Sequence, residues 1–464
     1  MTQTNKHEMD MTTGNLFKKI LVFSLPIMLS GLLQLLYNAT DLIICGQFGS
    51  EHSVGAISST NALINLIVNL FLGLSVGANV LMARCFGANN QEKGQRVAYT
   101  AMILSALLGL FVGAFGAVFS RYFLVWMGTT ADVIDLSTQY LLIYFLGVPF
   151  SLVYNFGASL LRAVGDTRRP FYFLAASGVV NVLFNLLFVI VFKMDVAGVA
   201  LGTILSQAIS AVCIVVCLVK NKGFFNFSFK QMRFYKEEAL EIAKIGLPAG
   251  LQATLFSLSN VLIQSSVNSL GTATVDGNGA ASSIEGFVYV SMNSMSQACI
   301  AFVSTNYGAC NFRNIKRVVS YAILYVCIFG MTVGGLATLV ARPLLGLYLN
   351  DPQSIEIGYS RMLIICITYF MCGIMDVLGN SLRGIGYSLL PAITSLCGVC
   401  GLRIIWIYVV FPLPQFHNLA WLAGSYPISW VLTAAVHLVC FVLLYHKKSS
   451  ANRQTVANAM PHTV

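Results

Sequence analysis

The chain has 464 residues and a formal net charge of +10, yet only 9% of its residues are charged and 57% are hydrophobic. With a mean hydropathy of +0.77, it has too few polar groups to cover a water-soluble protein of this length. The composition therefore excludes a soluble globular protein and indicates a polytopic membrane protein.

Apolar stretches of about 20 residues, long enough to cross a bilayer as a helix, recur along the whole chain. The first fourteen residues lack a basic segment and a cleavage site, so we expect the first stretch to remain as a helix. We predict twelve spans, at about residues 16–44, 53–81, 97–119, 136–160, 171–192, 197–219, 240–268, 278–305, 318–340, 357–381, 388–411 and 418–445.

The basic residues fall very unevenly on the two sides of these spans. If both termini are inside, 22 Lys and Arg residues lie inside, three lie outside (Arg121, Lys193 and Arg342), and Arg361 and Arg403 lie within spans. This is the positive-inside pattern, which explains the net charge without a nucleic-acid partner. We expect a monomer in contact with membrane lipid, in the plasma (inner) membrane of a prokaryote, with both termini cytoplasmic.

The second half of the chain repeats the first at an offset of 221 to 224 residues. GANNQEKGQRV at 87–97 aligns with GACNFRNIKRV at 308–318, and LRAVGDTRRP at 161–170 aligns with LRGIGYSLLP at 382–391. Because each half has six spans, both halves enter the membrane from the same side and the repeat is parallel. The predicted fold class is an all-α polytopic membrane protein with twelve transmembrane helices in two six-helix lobes.

The repeat also divides the chain into predicted domains. These are an N-terminal lobe at 1–222, a cytoplasmic linker at 223–238, a C-terminal lobe at 239–448 and a polar C-terminal tail at 449–464. The linker region is basic, rich in Phe and amphipathic, so we predict a short interfacial helix there.

Asp41 lies deep in the first span, where a carboxylate costs at least ~2.5 kcal/mol in hydrocarbon. Gln34, Tyr37, Asn38 and Asp41 are spaced i, i+3, i+4 and i+7, which places them on one helix face. An ionisable group retained within a span is a functional-site hypothesis by default. We therefore predict a functional role for Asp41 and a cavity beside this face.

Further polar residues follow other spans at helical spacing. One interpretation is that they bond neighbouring helices, at about 0.6 kcal/mol each; their matching repeat positions favour a shared substrate cavity. Glu285 either attracts a cation or has a structural role, and Arg361 is expected to snorkel to the membrane surface. The predicted cavity residues beyond the first span are Asn61, Asn65, Asn69, Gln264, Glu285, Tyr289, Asn293 and Asp376.

The sequence offers no set of residues for enzymatic chemistry. It contains no GxxxxGK[ST] loop for ATP, no evident nucleophile with its base and no metal cluster. We predict a carrier rather than an enzyme, without a cofactor other than a coupling ion.

Four ordered motifs, ATDLIICGQFG, GANNQEKGQRV, LLRAVGDTRRP and GVALGTILSQ, resemble those of the multidrug and toxic compound extrusion (MATE) family. The resemblance runs from about Phe17 to Leu444. It implies two six-helix lobes in a V-shaped carrier, which exchanges organic cations and drugs for inward-moving Na⁺ or H⁺.

By motif, the resemblance assigns the cation-coupling residues of the N-terminal lobe to Asp41, Asn181, Asn185 and Thr203. These would also hold Na⁺ if Na⁺ is the coupling ion. Asn185 stands where many members have aspartate, which leaves Asp41 as the sole carboxylate there. In another branch the coupling acids lie on the seventh and tenth helices; Asp376 matches the second approximately.

These observations predict a secondary active multidrug exporter that works by alternating access. In the expected mechanism Asp41 alternately holds and releases the coupling ion, and the first span bends near Pro26. The alternative is a flippase for a lipid-linked sugar or another amphiphilic metabolite, which should place several basic residues in its cavity. A channel or a receptor is a further rival, which single-channel currents would reveal.

Overall fold

A computed structural model describes residues His7–Ser50 and His52–Ala459, and within them the regular structure is entirely helical. This confirms the predicted all-α class. The helices are α1 (Leu16–Phe48), α2 (Ser53–Gly87), α3 (Gln91–Trp126), α4 (Ala131–Ala163), α5 (Arg168–Leu186), α6 (Asp195–Lys220), α7 (Lys236–Asn268), α8 (Thr272–Gly308), α9 (Phe312–Leu339), α10 (Ala341–Leu345), α11 (Pro352–Gly384), α12 (Leu389–Ser395), α13 (Leu402–Ile405) and α14 (Leu419–Ala459).

Two of the predicted spans contain π-helical turns. α5 continues into a π-helical segment at Leu187–Val191. The eleventh span consists of α12, a π-helical segment at Leu396–Gly401, α13 and a second one at Trp406–Val410. Such turns are frequent at functional sites because they change the direction of nearby side chains.

Eleven helices in the described chain are long and apolar enough to cross a membrane. The predicted eighth span, α8, is a continuous helix of 37 residues but is not among them. Its buried residues include Asn278, Glu285 and a series of serines, so protein surrounds much of this helix. A polar sequence is compatible with the membrane when its side chains face other helices.

The internal repeat is visible in the backbone. Asn90 caps α3 by accepting a hydrogen bond from the Lys93 N–H (3.0 Å), and Asn311 caps α9 in the same way from Asn314 (3.3 Å). The left-handed residue before each cap is repeated as well, at Asn89 (φ 52°) and Cys310 (φ 56°). The aligned motifs therefore build the same turn twice.

The described chain divides into two compact units by its internal contacts. The first unit contains Leu25–Met82, Asn90–Ser257 and the described residues before Met11; the second contains Met11–Ser24, Ala83–Asn89 and the described residues from Leu258 onward. α1, α2 and α7 thus contribute residues to both. The predicted domain boundaries at 222, 239 and 448 stay predictions; α14 continues to Ala459, and residues 460–464 of the predicted tail lie outside the described residues.

Helix packing in the first unit includes a close crossing of α2 and α7. A Cβ atom on Gly73 would overlap the backbone of Gly250, and one on Gly246 would lie 2.5 Å from the Cα of Leu74. Small residues let helix backbones approach directly, which provides packing energy in a membrane.

The predicted interfacial helix in the linker is wrong. Between α6 and α7 the only regular element described is a short 3₁₀ turn at Phe229–Gln231. Phe225 and Phe227 are buried, Phe227 lies 5.4 Å from the Tyr99 ring, and the Asn226 carbonyl accepts from Gln95 Nε2 (2.8 Å). Part of the aromatic surface of this segment therefore packs inward against the protein instead of forming the apolar face of an interfacial helix.

Candidate functional site

Asp41 lies on α1 with only 9% of the residue exposed. Its carboxylate Oδ1 accepts a hydrogen bond of 2.5 Å from Asn185 Nδ2 on α5. Asn181 is one helical turn away, and its Oδ1 lies 3.4 Å from the same Asn185 nitrogen. Asn181 Nδ2 in turn donates to Thr203 Oγ1 on α6 at 3.4 Å. The structure thus brings together the four side chains that the resemblance assigned to cation coupling; that role itself stays a prediction.

One polar atom in this group has no partner in the described chain. Asn185 is fully buried and donates through its nitrogen, but its Oδ1 accepts no hydrogen bond. A buried acceptor without a partner costs about 1–3 kcal/mol, and this oxygen packs against Gly202 of α6, where an added Cβ atom would overlap it. The hydrogen bonds link the side-chain oxygens of Asp41, Asn181 and Thr203 into one group, and carboxylate, amide and hydroxyl oxygens are ligands that suit a hard cation. The residues present therefore fit a small cation such as Na⁺.

A cavity of about 240 Å³ lies beside Asp41 within the first unit. Drug-sized ligands occupy pockets of roughly 300–1,000 Å³, so this volume suits an ion with its waters, or one end of a larger molecule. Among the described residues that line it, only Asp41 is charged. The lining residues are Gln34, Tyr37, Asn38, Asp41, Ser151, Tyr154, Asn155, Leu174, Ser177, Gly178, Asn181, Thr203, Ser206, Gln207 and Ser210.

The wall includes the whole predicted polar face of α1 and a second stripe, of which only Thr203 was predicted. Thr203, Ser206, Gln207 and Ser210 on α6 are spaced i, i+3, i+4 and i+7. The same spacing that identified the face of α1 is therefore present in the sequence of α6. The stripe of α6 contains only neutral polar residues, so it has no ionisable group to mark it as Asp41 marks the face of α1.

Tyr37 fixes the contact between α1 and α5. Its hydroxyl lies 3.4 Å from the carbonyl oxygens of Leu174 and Ala175. A Cβ atom on Gly178 would overlap the Tyr37 ring. Glycine at position 178 therefore leaves room for the Tyr37 ring beside α5.

The other predicted cavity residues lie outside this wall. Asn61 and Asn65 on α2 are exposed, and Asn69 is half-buried. In the second unit, Gln264 donates to Asn268 Oδ1 (3.0 Å) and accepts from Asn278 (3.1 Å).

A further group in the second unit joins α8 to α11. Asn293 donates to the Tyr289 hydroxyl at 3.1 Å, and that hydroxyl donates to Asp376 at 3.5 Å. The role of these residues as substrate contacts stays a prediction.

The expectation that Arg361 snorkels is wrong. Arg361 is only 5% exposed, and its Nε and Nη2 atoms donate to the two carboxylate oxygens of Glu285 at 2.9 and 2.7 Å. Its Nη1 also donates to Asn278 at 2.8 Å. Because this bidentate pair neutralises Glu285, the pairing favours the structural role that the sequence had left open.

Comparison with known proteins agrees with the fold and the repeat. The family model MatE matches residues 26–187 and again residues 248–409. The chain is 27% identical over 439 residues to the probable multidrug resistance protein YoeA of Bacillus subtilis (strain 168). This alignment covers 93% of this chain and 93% of YoeA. The chain is 24% identical over 342 residues to the multidrug export protein MepA of Staphylococcus aureus, or 74% of this chain and 76% of MepA.

Solved structures show the same fold. An outward-facing multidrug resistance MATE family transporter of the MOP superfamily superposes with a TM-score of 0.90 at 20% identity, over 97% of this chain and all of the other. The two matches of the family model cover well over half of the residues and follow the internal repeat. The chain therefore belongs to the MatE family of membrane transporters, which confirms that it is a multi-pass carrier and not an enzyme.

Proposed function

We propose that the protein exports organic cations and drugs in exchange for inward-moving H⁺ or Na⁺. The names of its relatives, such as the multidrug export protein MepA, support the class of cargo. The coupling to an ion rests on the geometry at Asp41.

The observation that carries the proposal is a buried carboxylate on the wall of a cavity, held by neutral polar side chains. Asp41 lines the cavity and accepts a hydrogen bond from the Asn185 amide. A carboxylate within a membrane span is stabilised by a cation or by protonation. Either ion removes the negative charge, and loss of the ion restores it.

Exchange follows if ion and drug prefer different states of the carrier. A ligand shifts a conformational equilibrium only by its difference in affinity for the two states. A bound ion neutralises Asp41 and weakens attraction for an organic cation, so the two compete for the same charge. The unit boundary in α1 falls between Ser24 and Leu25, next to Pro26, and proline is a common cause of helix bending. We propose that α1 bends there as Asp41 gains and loses its ion.

We further propose that the protein acts as a monomer in the bacterial plasma membrane with both termini in the cytoplasm. The excess of basic residues on one side of the spans supports this orientation. Membrane lipid is then the surrounding partner, and no cofactor is required beyond the coupling ion.

The test is ethidium transport in proteoliposomes under Na⁺ and H⁺ gradients imposed separately. The native protein should respond to one gradient, and Asp41→Asn should lose that response because its side chain can neither release a proton nor hold a cation by charge. Asp132→Asn, which changes an exposed acid of α4, is the matched control and should transport normally.

Two results would argue against the proposal. Coupled efflux that survives in Asp41→Asn would exclude Asp41 as the seat of the coupling ion. No ethidium transport by the folded native protein under either gradient would favour the flippase alternative, which a headgroup-flipping assay would then test.

A further inference from the structure

Arg403 is a buried cation that nothing in the described part of the chain neutralises. It lies within the span Leu389–Val410 and is only 5% exposed. An isolated charge within a membrane span is costly, and such residues mark functional sites by default. The other intramembrane arginine, Arg361, has its carboxylate in Glu285. Within the described residues no ion pair involves Arg403.

Arg403 contacts its neighbours through its Nε atom and through the flat face of its guanidinium group. Its Nε donates to Ser429 Oγ at 3.3 Å, and the Ser429 hydroxyl donates onward to the Tyr426 carbonyl at 2.7 Å. The guanidinium carbon lies 3.9 Å from the centre of the Tyr426 ring and 6.0 Å from that of Trp430. These cation–π contacts occupy the face of the group. Among the described residues its two Nη nitrogens donate no hydrogen bond, since the one that the side chain makes comes from Nε; these nitrogens form the edge that binds oxyanions.

The internal repeat places this group at the counterpart of the Asp41 cavity. The family model matches both halves at an offset of 222 residues. At that offset Arg403 corresponds to Asn181, and Ile263 corresponds to Asp41. Tyr426 and Ser429 follow Thr203 and Ser206 at an offset of 223.

The two units thus carry opposite charges within the related groups of residues. The first unit has the Asp41 carboxylate in its cavity wall, whereas the second has an apolar residue in place of that acid and a guanidinium in place of Asn181. π-helical turns also adjoin both places, after Asn185 and on either side of Arg403. The same framework that suits a cation in one unit therefore suits an anion in the other.

We propose that Arg403 is the recognition residue of a carboxylate subsite in the second unit, which takes the acid group of an aromatic substrate. The planar guanidinium presents paired N–H donors that match a carboxylate, and the rings of Tyr369, Tyr426 and Trp430 surround it with aromatic surface. One guanidinium balances one negative charge, whereas a pyrophosphate needs several. That the bound acid is transported rests on the proposed function. That Arg403 binds a carboxylate does not depend on it.

The test compares norfloxacin, which carries a carboxylate and an ammonium group, with its methyl ester, which keeps only the ammonium. Calorimetric titration of the purified full-length protein measures both affinities. The native protein should prefer the acid by about tenfold, the low end of what a hydrogen bond to a charged group contributes. Arg403→Gln should remove this preference, and Arg403→Lys should keep part of it because the charge remains. Arg121→Gln, which changes an exposed arginine of the first unit, should retain the native preference.

Several outcomes would overturn the proposal. Equal affinity of the native protein for acid and ester is one, and this result does not depend on whether any variant folds. A preference that persists in Arg403→Gln is another. Benzoate should displace norfloxacin and leave bound ester unaffected; displacement of both would also count against the subsite. Ethidium has no acid group, so its transport reports on the proposed exchange function separately from this binding.

Discussion

The Asn185 side chain donates its amide N–H to the Asp41 carboxylate at 2.5 Å across 144 residues of chain. An amide at this position holds the carboxylate without adding a second negative charge. Its oxygen remains without a hydrogen-bond partner in the described chain. Because the Asn185 side chain contacts the Asp41 carboxylate directly, a change of charge at position 185 should alter the dependence on the ion.

Asn185→Asp should make the stability of the protein dependent on Na⁺. The substitution removes the donor to Asp41 and places two carboxylates together, and anionic oxygens raise the affinity for a hard cation. At a hundredfold excess of Na⁺ over its Kd, binding would stabilise the folded state by about 2.7 kcal/mol. Thermal unfolding in Na⁺ and in N-methylglucamine buffers measures this difference. The control variant Asn61→Asp, changed at an exposed position on α2, should unfold at almost the same temperature in both buffers. If the Asn185→Asp variant also did so, position 185 would not be an ion ligand.

Gly178→Ala should destabilise the protein because its Cβ would overlap the Tyr37 ring. Overpacking of a closely fitted contact costs about 1–3 kcal/mol. The added substitution Tyr37→Ala should recover most of the loss, since it removes the ring that clashes. Unfolding temperatures of the two single variants and the double variant give the coupling energy. Gly279→Ala is the control, because a Cβ there meets nothing within 4 Å; additive effects at positions 37 and 178 would contradict the predicted clash.

The sequence was sufficient for the class of fold and for part of the site. Asp41 stands out because a carboxylate in an apolar span is costly, and the polar face of α1 follows from helical spacing alone. Asn181, Asn185 and Thr203 were found only through family motifs, since amides and hydroxyls are common in membrane helices. Their contact with Asp41 depends on how α1, α5 and α6 pack, which no local pattern specifies.

Tertiary pairing explains where the sequence-based expectations were wrong. Arg361 lies near a span end, which predicts snorkelling, but Glu285 is 76 residues away in the chain and supplies the buried partner. The linker has the composition of an interfacial helix, but Phe225 and Phe227 find a protein surface to pack against. In each case a distant partner determined the outcome rather than the local pattern.

Gly73→Ala and Gly250→Ala should each destabilise the crossing of α2 and α7. A side chain at either position would meet the backbone of the opposite helix, which cannot move as a side chain does. We expect a lower melting temperature in detergent for both variants. Gly335→Ala on α9, where a Cβ meets nothing within 4 Å, should be neutral or slightly stabilising, because alanine favours helix over glycine by about 0.5–1 kcal/mol. If all three variants had the same melting temperature, the two helices could move apart at this crossing without loss of stability.

Glu285→Gln should be the most destabilising of these changes, and the reason is the charge that it leaves behind. Removing one partner of a buried ion pair costs about 3–5 kcal/mol because the remaining charge, here Arg361, is buried without compensation. Replacing both residues, as in Glu285→Gln with Arg361→Met, should recover most of that loss, since apolar or neutral replacements of a whole buried pair are often nearly neutral. A double-mutant cycle of unfolding free energies measures the coupling. The double variant also tests function. If Glu285 serves only to balance the charge of Arg361, the double variant should still transport ethidium in an ion-coupled manner. Loss of that transport in a folded double variant would show that Glu285 takes part in ion coupling.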